Sequence, residues 1–98
     1  MTINKTQNGK DLTVTVEGRL DTTTAPEFER ELKPLLGSVD NVVLDFSNLE
    51  YISSAGLRVL LQIRKAEYDK GGVKIVNAND LVKEVFEVTG FINVLNIE

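Results

Sequence analysis

The sequence predicts an α/β protein in which helices pack on one mixed central β-sheet. Alternating apolar and polar residues near the start predict a strand with one buried face. A short apolar run from Val42 to Phe46 predicts a central strand covered on both faces. Helical patterns separate the later strands, and this alternation indicates mostly right-handed crossovers. The expected order of elements is therefore β-β-α-β-α-β-α-β.

Residues 3–17 predict a β-hairpin. The dipeptide Asn8-Gly9 is typical of a tight type I′ turn, because both residues tolerate the positive φ angles that this turn requires. After the turn, Leu12, Val14 and Val16 alternate with polar residues. One face of the second strand is therefore expected to be buried.

The first helix is expected to begin with a capping box, Thr24-Ala25-Pro26-Glu27. In this motif the Thr hydroxyl accepts the amide of Glu27, and Pro26 suits the first helical position because an amide there has no helical partner. Pro34 is expected to bend this helix or end it early. The apolar stripe behind the cap consists of Ala25, Phe28, Leu32, Leu35 and Leu36.

A longer second helix is expected after the central strand. Its pattern runs from about Ala55 to Lys70, and Gly71-Gly72 is the expected stop. The apolar residues from Val73 to Val76 predict the next strand.

A third helix and a short final strand complete the expected fold. Asn79 and Asp80 are favourable caps at the start of this helix, and Gly90 is its expected stop. The last strand is expected from Val94 to Ile97. The apolar residues of the third helix are Leu81, Val82, Val85, Phe86 and Val88.

Composition indicates one domain spanning residues 1–98, because 42% apolar residues build a single core and leave no room for a second. The chain has no cysteine, no apolar run of signal-peptide length at its start and no run long enough to span a membrane. We therefore expect a cytoplasmic protein that does not insert into membranes. Its net charge of −4, with cations mostly scattered singly, argues against binding DNA or RNA.

Missing residue types argue against catalysis. Without histidine or cysteine, the chain has neither the base of a Ser–His–Asp triad nor a thiolate nucleophile, and no zinc site can form from these two ligands. No phosphate-binding loop of the GxxxxGK[ST] or GxGxxG type occurs. We therefore expect a protein that is not an enzyme and that holds no metal or cofactor.

Two serines, Ser53 and Ser54, stand between the central strand and the second helix. Serine is a favoured N-cap that stabilises a helix by about 1 kcal/mol, so one of them can be a structural cap. An exposed serine at this place can instead accept a phosphate, because a helix N-terminus attracts negative charge. The local pattern alone leaves both interpretations open.

The second helix is apolar over about half its circumference, which is wider than the roughly 100° stripe of a surface helix. Deep packing against the sheet and a neighbouring helix would account for this breadth. Exposure of some of these residues beside Ser54, as a docking surface, would also account for it. The residues concerned are Leu57, Val59, Leu60, Leu61, Ile63, Ala66 and Tyr68.

Three segments resemble the STAS domain, and within it the bacterial anti-sigma-factor antagonists. They are residues 18–21 (Gly-Arg-Leu-Asp), residues 42–49, which form the central strand and its loop, and residues 51–57 (Tyr-Ile-Ser-Ser-Ala-Gly-Leu). The resemblance covers essentially the whole chain and implies the STAS fold, whose order of elements is the one predicted above.

In the antagonists the motif usually reads Asp-Ser-(Ser/Thr)-Gly-Leu, and its first serine is phosphorylated by the partner kinase. The resemblance places this acceptor at Ser54, with Ser53 as second choice. Ser53 stands where the family usually has Asp, Ala55 where it often has Ser or Thr, and Arg58 where a small residue is common.

The resemblance also implies a partner-binding surface. Asp21 matches an Asp near the phosphorylated serine, with a role in partner contact or in phosphorylation, while its residue type also suits a cap for the first helix. The expected contact residues are Asp21, Ser53, Ser54, Ala55, Gly56, Leu57 and Arg58.

The implied partners are an anti-sigma factor that is also a serine kinase, which supplies ATP and magnesium, and a serine phosphatase that resets the switch. The chain itself is expected to be a monomer. Two alternatives stay open: a constitutive STAS scaffold subunit of a transporter or lipid-transport complex, and a nucleotide-binding module.

Overall fold

A computed structural model describes every residue from Met1 to Glu98 and contains the expected elements in the expected order. The predicted fold class is therefore confirmed. A short 3₁₀ turn, Phe91–Asn93, precedes the last strand, which is shorter than expected. The elements are β1 (Thr2–Asn8), β2 (Asp11–Leu20), α1 (Ala25–Leu36), β3 (Asn41–Ile52), α2 (Ser54–Ala66), β4 (Gly72–Val76), α3 (Asp80–Thr89) and β5 (Asn96–Ile97).

The five strands form one sheet in the order β1-β2-β3-β4-β5. The first pair is antiparallel and the other three pairs are parallel, so the sheet is mixed. Parallel neighbours need a crossover, and each of the three helices provides one. The starts of all three helices therefore follow the carboxyl ends of parallel strands.

The turn of the hairpin differs from the prediction. Asn8 pairs with Asp11, so the two loop residues are Gly9 and Lys10. Gly9 has a positive φ of 65°, whereas Asn77 is the one residue other than glycine with a positive φ. A type I′ turn needs positive φ at both loop residues, so that prediction was wrong. The strand pairing extends one residue further than the dipeptide indicated.

One face of the sheet carries the hydrophobic core. The central strand alternates between buried residues, such as Val42 and Leu44, and half-buried ones, such as Val43 and Asp45. The expectation of a strand covered on both faces was therefore wrong, because the helices bury only the face of Val42 and Leu44. Facing it, the core residues of the helices include Phe28, Leu32, Leu57, Leu60, Ile63, Val82 and Phe86.

The central strand is longer than its apolar run indicated. It continues to Ile52, where the expected loop was, because its second half pairs with β2 through Leu20 and Ile52. Two register shifts along this pairing absorb the irregular spacing of the apolar residues. The paired serines therefore follow a strand directly.

Two helix ends also differ from expectation. Pro34 does not end α1, which continues to Leu36, because Leu32 and Leu36 are both buried and hold the last turn on the core. The second helix ends at Ala66, four residues before the predicted end. The amide of Lys70 bonds the carbonyl of Glu67 at 3.1 Å, so the chain forms a turn before the two glycines.

None of the three helices combines the length and the apolar run that crossing a bilayer requires.

A buried carboxyl group lies at the end of α2. Glu67 is fully buried, and neither of its carboxylate oxygens has a hydrogen-bond partner. Burial raises the pKa of Glu67 most, the nearby charge of Asp40 raises it further, and Lys70 lowers it. The neutral form is therefore favoured in the folded chain relative to the unfolded chain.

This burial predicts a pH-dependent stability. The pKa of Glu67 is raised in the folded state. Its contribution to the unfolding free energy is therefore fully present at a pH below the ordinary pKa of 4.5, and it is lost as the pH rises through the pKa of the folded state. Glu67→Gln removes this loss, so the difference in unfolding free energy between the variant and the wild type should shift in the variant's favour with increasing pH. Urea unfolding from pH 4 to pH 8 measures it.

The exposed Glu87 offers a matched control, Glu87→Gln. A difference between Glu67→Gln and the wild type that stays constant over this pH range would contradict the role given to burial.

Candidate functional site

The candidate site lies where the end of β2 meets the start of α2. Leu20 pairs with Ile52 in the sheet, and the amide of Ser53 donates to the carbonyl of Leu20 at 2.9 Å. This bond brings residues 18–21 and 51–57 side by side. Two of the three segments that carried the family resemblance are therefore neighbours in the fold.

A glycine allows the helix to approach this closely. A Cβ atom on Gly56 would lie 2.8 Å from Cγ1 of Ile52, 2.8 Å from Cγ of Leu20 and 3.0 Å from the carbonyl oxygen of Leu20. Such distances are shorter than van der Waals contact, so any side chain would push the start of α2 away from β2. The role of this glycine is to let two backbones pack together.

Ser54 is exposed and is the first residue of α2. Ser53 occupies the N-cap position with extended backbone, φ −101° and ψ 177°, but its side chain makes no capping bond. Its hydroxyl oxygen is buried and has no hydrogen-bond partner. Of the two hydroxyl groups, that of Ser54 therefore has the more accessible position.

The first turn of α2 favours an anion. The first helical bond runs from the amide of Leu57 to the carbonyl of Ser53 at 3.0 Å, and the amides of Ser54, Ala55 and Gly56 have no partner within the chain. No acidic residue lies in this turn. Unpaired amides and the helix dipole give this end a partial positive charge.

One cation and a shallow groove adjoin Ser54. Arg58 lies one helical turn further, on the same face at i+4, and is exposed without a salt bridge. The groove, of about 340 Å³, separates α1 from α2, and the sequence analysis did not identify it. Small residues at both helix starts, Ala25 and Ala55, are the signal that could have indicated it. The groove is lined by Thr22, Ala25, Pro26, Glu29, Ala55, Arg58, Val59 and Gln62.

Asp21 organises the start of α1. One of its carboxylate oxygens accepts the amides of Thr23 at 3.0 Å and Thr24 at 3.2 Å. The bond from the Thr24 amide lowers the pKa of Asp21 most, burial partly opposes it, and the charge of Arg19 adds a smaller lowering. Asp21 therefore caps the turn of residues 22–24 that leads into α1, whereas the N-cap position of the helix itself is Thr24, and a partner contact of Asp21 is left as a prediction.

The prediction of a capping box at Thr24 was wrong. Thr24 has helical backbone angles, φ −96° and ψ −19°, and its side chain does not cap the helix. Its hydroxyl turns back toward β2, where it donates to the carbonyl of Arg19 at 2.7 Å and accepts the amide of Asp21 at 2.9 Å. The Thr24 hydroxyl therefore does not accept the amide of Glu27, as the capping box required.

A cross-strand contact missed by the sequence analysis lies beside the site. The guanidinium of Arg19 lies 4.6 Å from the centre of the Tyr51 ring, and the two residues pair across β2 and β3. Their separation in sequence concealed this contact, since only the strand register brings them together.

Burial accounts for four of the seven residues that make the apolar face of α2 broad. Leu57, Val59, Leu60 and Ile63 are buried. Tyr68 is exposed, but it lies beyond the far end of the helix from Ser54. Leu61, at i+7 from Ser54, is only half-buried, so an apolar docking surface beside Ser54 is left as a prediction.

The predicted contact residues fall into three groups. Ser54 and Arg58 are exposed, and Asp21, Ser53 and Ala55 are half-buried. Gly56 and Leu57 are buried, which corrects their assignment as contact residues: they position the helix start from beneath. The largest cavity, about 570 Å³, lies at the other end of α2 and includes none of these seven residues.

The family model described as the STAS domain matches residues 2–98. The chain belongs to the STAS domain family. This STAS protein is 34% identical over 84 residues to BtrV of Bordetella bronchiseptica, a protein named as an anti-sigma factor antagonist, and the match covers 84% of this chain and 72% of the relative. The predicted resemblance is therefore confirmed.

Solved structures show the same fold. An anti-sigma factor antagonist from Mycobacterium paratuberculosis matches with a TM-score of 0.88 at 23% identity, over 98% of this chain and 83% of that one. The antagonist SpoIIAA in its unphosphorylated form matches with a TM-score of 0.85 at 15% identity, over 99% and 88%. Its phosphorylated form, from Bacillus, matches with a TM-score of 0.76 at 15% identity, over 99% and 91%.

The close approach at Gly56 predicts a destabilised variant. Gly56→Ala should lower the unfolding free energy by about 1–3 kcal/mol, because the cost of overpacking exceeds the gain in helix propensity. Denaturant unfolding followed by circular dichroism measures the change.

Gly37 provides the matched control, since it has an ordinary φ of −75° and open space around a would-be Cβ atom. Gly37→Ala should leave the stability equal or higher by up to about 1 kcal/mol. Equal effects of the two substitutions would contradict the packing argument.

Proposed function

We propose that this protein is an anti-sigma-factor antagonist that works by partner switching. In its unphosphorylated form it binds an anti-sigma factor that is also a serine kinase, and this binding frees the sigma factor. Phosphorylation of Ser54 ends the binding, and a serine phosphatase restores it. The observation that carries the proposal is the exposed position of Ser54 at the first residue of α2, where the family motif has its acceptor serine.

The chain contributes only the acceptor to the transfer. The kinase supplies ATP and magnesium, its own base takes the hydroxyl proton of Ser54, the γ-phosphoryl group passes to the serine oxygen, and ADP leaves. The absence of histidine and cysteine from the chain supports this division of roles. The protein is thus a binding switch that needs no cofactor of its own.

Accessibility favours Ser54 over Ser53 as the acceptor. The Ser53 hydroxyl oxygen is buried, and its backbone amide is held by Leu20, so a kinase would have to open the junction to reach it. The exposed Ser54 needs no such opening.

A phosphate on Ser54 should leave the fold intact. It adds a charge of about −1.5 to −2 and three acceptor oxygens next to unpaired amides and the free cation Arg58. A helix N-terminus stabilises such a group. The two forms of SpoIIAA, which both match this fold, support this view.

The effect of the phosphate should instead be felt at the interface. Docking a partner over Ser54 removes water from the dianion, and burying a charge without a partner is costly. A thousandfold weaker affinity corresponds to about 4 kcal/mol, which one buried and unpaired charge can account for. In the free protein, Arg58 would compensate part of this charge. The phosphate oxygens that face the partner would still have no cation to pair with.

The acceptor assignment predicts a simple phosphorylation result. Incubation of the protein with ATP, magnesium and the anti-sigma factor kinase of the same organism should add one phosphate to the wild type and to Ser53→Ala, but none to Ser54→Ala. Intact-mass analysis measures the addition.

The two single-serine variants serve as controls for each other, and circular dichroism checks that both are folded. Phosphate on Ser54→Ala but not on Ser53→Ala would move the acceptor to Ser53. A wild type that stays unmodified yet binds the kinase would instead indicate a constitutive scaffold.

A charge at Ser54 should separate binding from folding. Ser54→Asp is expected to keep the melting temperature of the wild type and to bind the kinase at least tenfold more weakly, because its carboxylate lies in the interface. Calorimetric titration measures the affinity. Ser54→Asn, which is similar in size but neutral, controls for shape, and equal affinities of Ser54→Asp and the wild type would refute the charge-gated model.

A further inference from the structure

The third helix presents an apolar stripe that the core covers only in part. Leu81 is 50% exposed, Val88 is 78% exposed, and Val85 between them is half-buried. Their i, i+4, i+7 spacing places them on one face of the helix. Two other residues of this helix, Val82 and Phe86, pack into the core and are fully buried. Val85 also packs against the core with part of its surface, so it is the exposed part of the stripe, Leu81 and Val88, that is additional to what the fold requires.

Three carboxylates border this stripe. Asp80, Glu84 and Glu87 have the same i, i+4, i+7 spacing, shifted by one residue and so by about 100° around the helix. All three are exposed. None takes part in the three salt bridges of the chain, which are Lys5–Glu31, Arg19–Asp21 and Lys74–Glu98. Together, Leu81, Val85, Val88 and these carboxylates form what we call the α3 surface.

The helix that carries this surface is held firmly at both ends. The side chain of Asn79 accepts the amide of Val82 at 2.8 Å and donates to the carbonyl of Leu49 at 2.9 Å, which ties the helix start to β3. Gly90 ends the helix in the left-handed conformation with φ 80°. A surface on such a fixed element offers a preformed contact, which lowers the entropic cost of binding.

We propose that the α3 surface docks an amphipathic helix of a partner protein, with apolar residues on one face and Lys or Arg along one border. The apolar face would cover Leu81, Val85 and Val88, and the basic border would pair with the three unpaired carboxylates. Amphipathic helices bind such surfaces through anchors at i, i+3, i+4 and i+7. Docking at the α3 surface does not depend on phosphorylation of Ser54.

Charge decides between this partner and a second copy of the chain. A second copy would present the same three carboxylates, and Lys83 is the one cation on α3. Like charges facing each other across an interface oppose association. A basic partner meets no such opposition.

A peptide titration tests the proposal. The probe is a helical 18-residue peptide with Leu on one face and Lys elsewhere, and its counterpart has Glu in place of Lys. Nuclear magnetic resonance of ¹⁵N-labelled protein should show shifts centred on α3 with the Lys peptide and none with the Glu peptide. Leu81→Ser/Val88→Ser should weaken the Lys peptide about tenfold, since both positions lose their apolar contact.

Charge reversal distinguishes a specific surface from general attraction to an acidic protein. Glu84→Lys/Glu87→Lys should exchange the preference, binding the Glu peptide and losing the Lys peptide. Asp11→Lys/Asp69→Lys makes the same change in net charge at two exposed residues outside α3, and should retain the preference of the wild type.

Two results would overturn the proposal. The first is an equal response of both double charge variants, which would reduce the binding to net charge. The second is self-association of the free protein in sedimentation experiments that Leu81→Ser/Val88→Ser abolishes, because the occupant would then be a second copy.

Discussion

The structure around the candidate site depends on one close approach, that of the start of α2 to the end of β2. Gly56 leaves no side chain between the helix and Leu20, and the amide of Ser53 is held by the carbonyl of Leu20. This junction fixes where the exposed Ser54 stands and which way the first-turn amides point. A side chain at Gly56 would change the position of the acceptor and of the charge that surrounds it.

Electrostatics divides the surface into regions that suit different partners. The chain is acidic, with a net charge of −4, yet the first turn of α2 has no acidic residue and offers unpaired amides together with Arg58. The α3 surface has the opposite character, with three carboxylates beside exposed apolar residues. All helices begin at the carboxyl ends of parallel strands. The start of α2 and the start of the α3 surface therefore lie at the same end of the strands.

Local patterns predicted the fold well where the physical cause is local. Asn79 caps α3 and Gly90 ends it, as their residue types indicated. The capping-box prediction failed because the Thr24 hydroxyl binds outside the motif: it donates to the carbonyl of Arg19, while Asp21 accepts the amides of Thr23 and Thr24. No pattern within the helix reveals a competitor that lies on the preceding strand.

The sequence by itself determined the order of the elements, the family and the position of the serines at a helix start, because periodicity, caps and a contiguous motif are properties of neighbouring residues. Only the tertiary structure decided which serine is accessible, that Gly56 and Leu57 lie beneath the surface, and that Arg19 stacks on Tyr51. Burial depends on what the rest of the chain places above a residue. That information becomes available only when distant strands and helices have packed together.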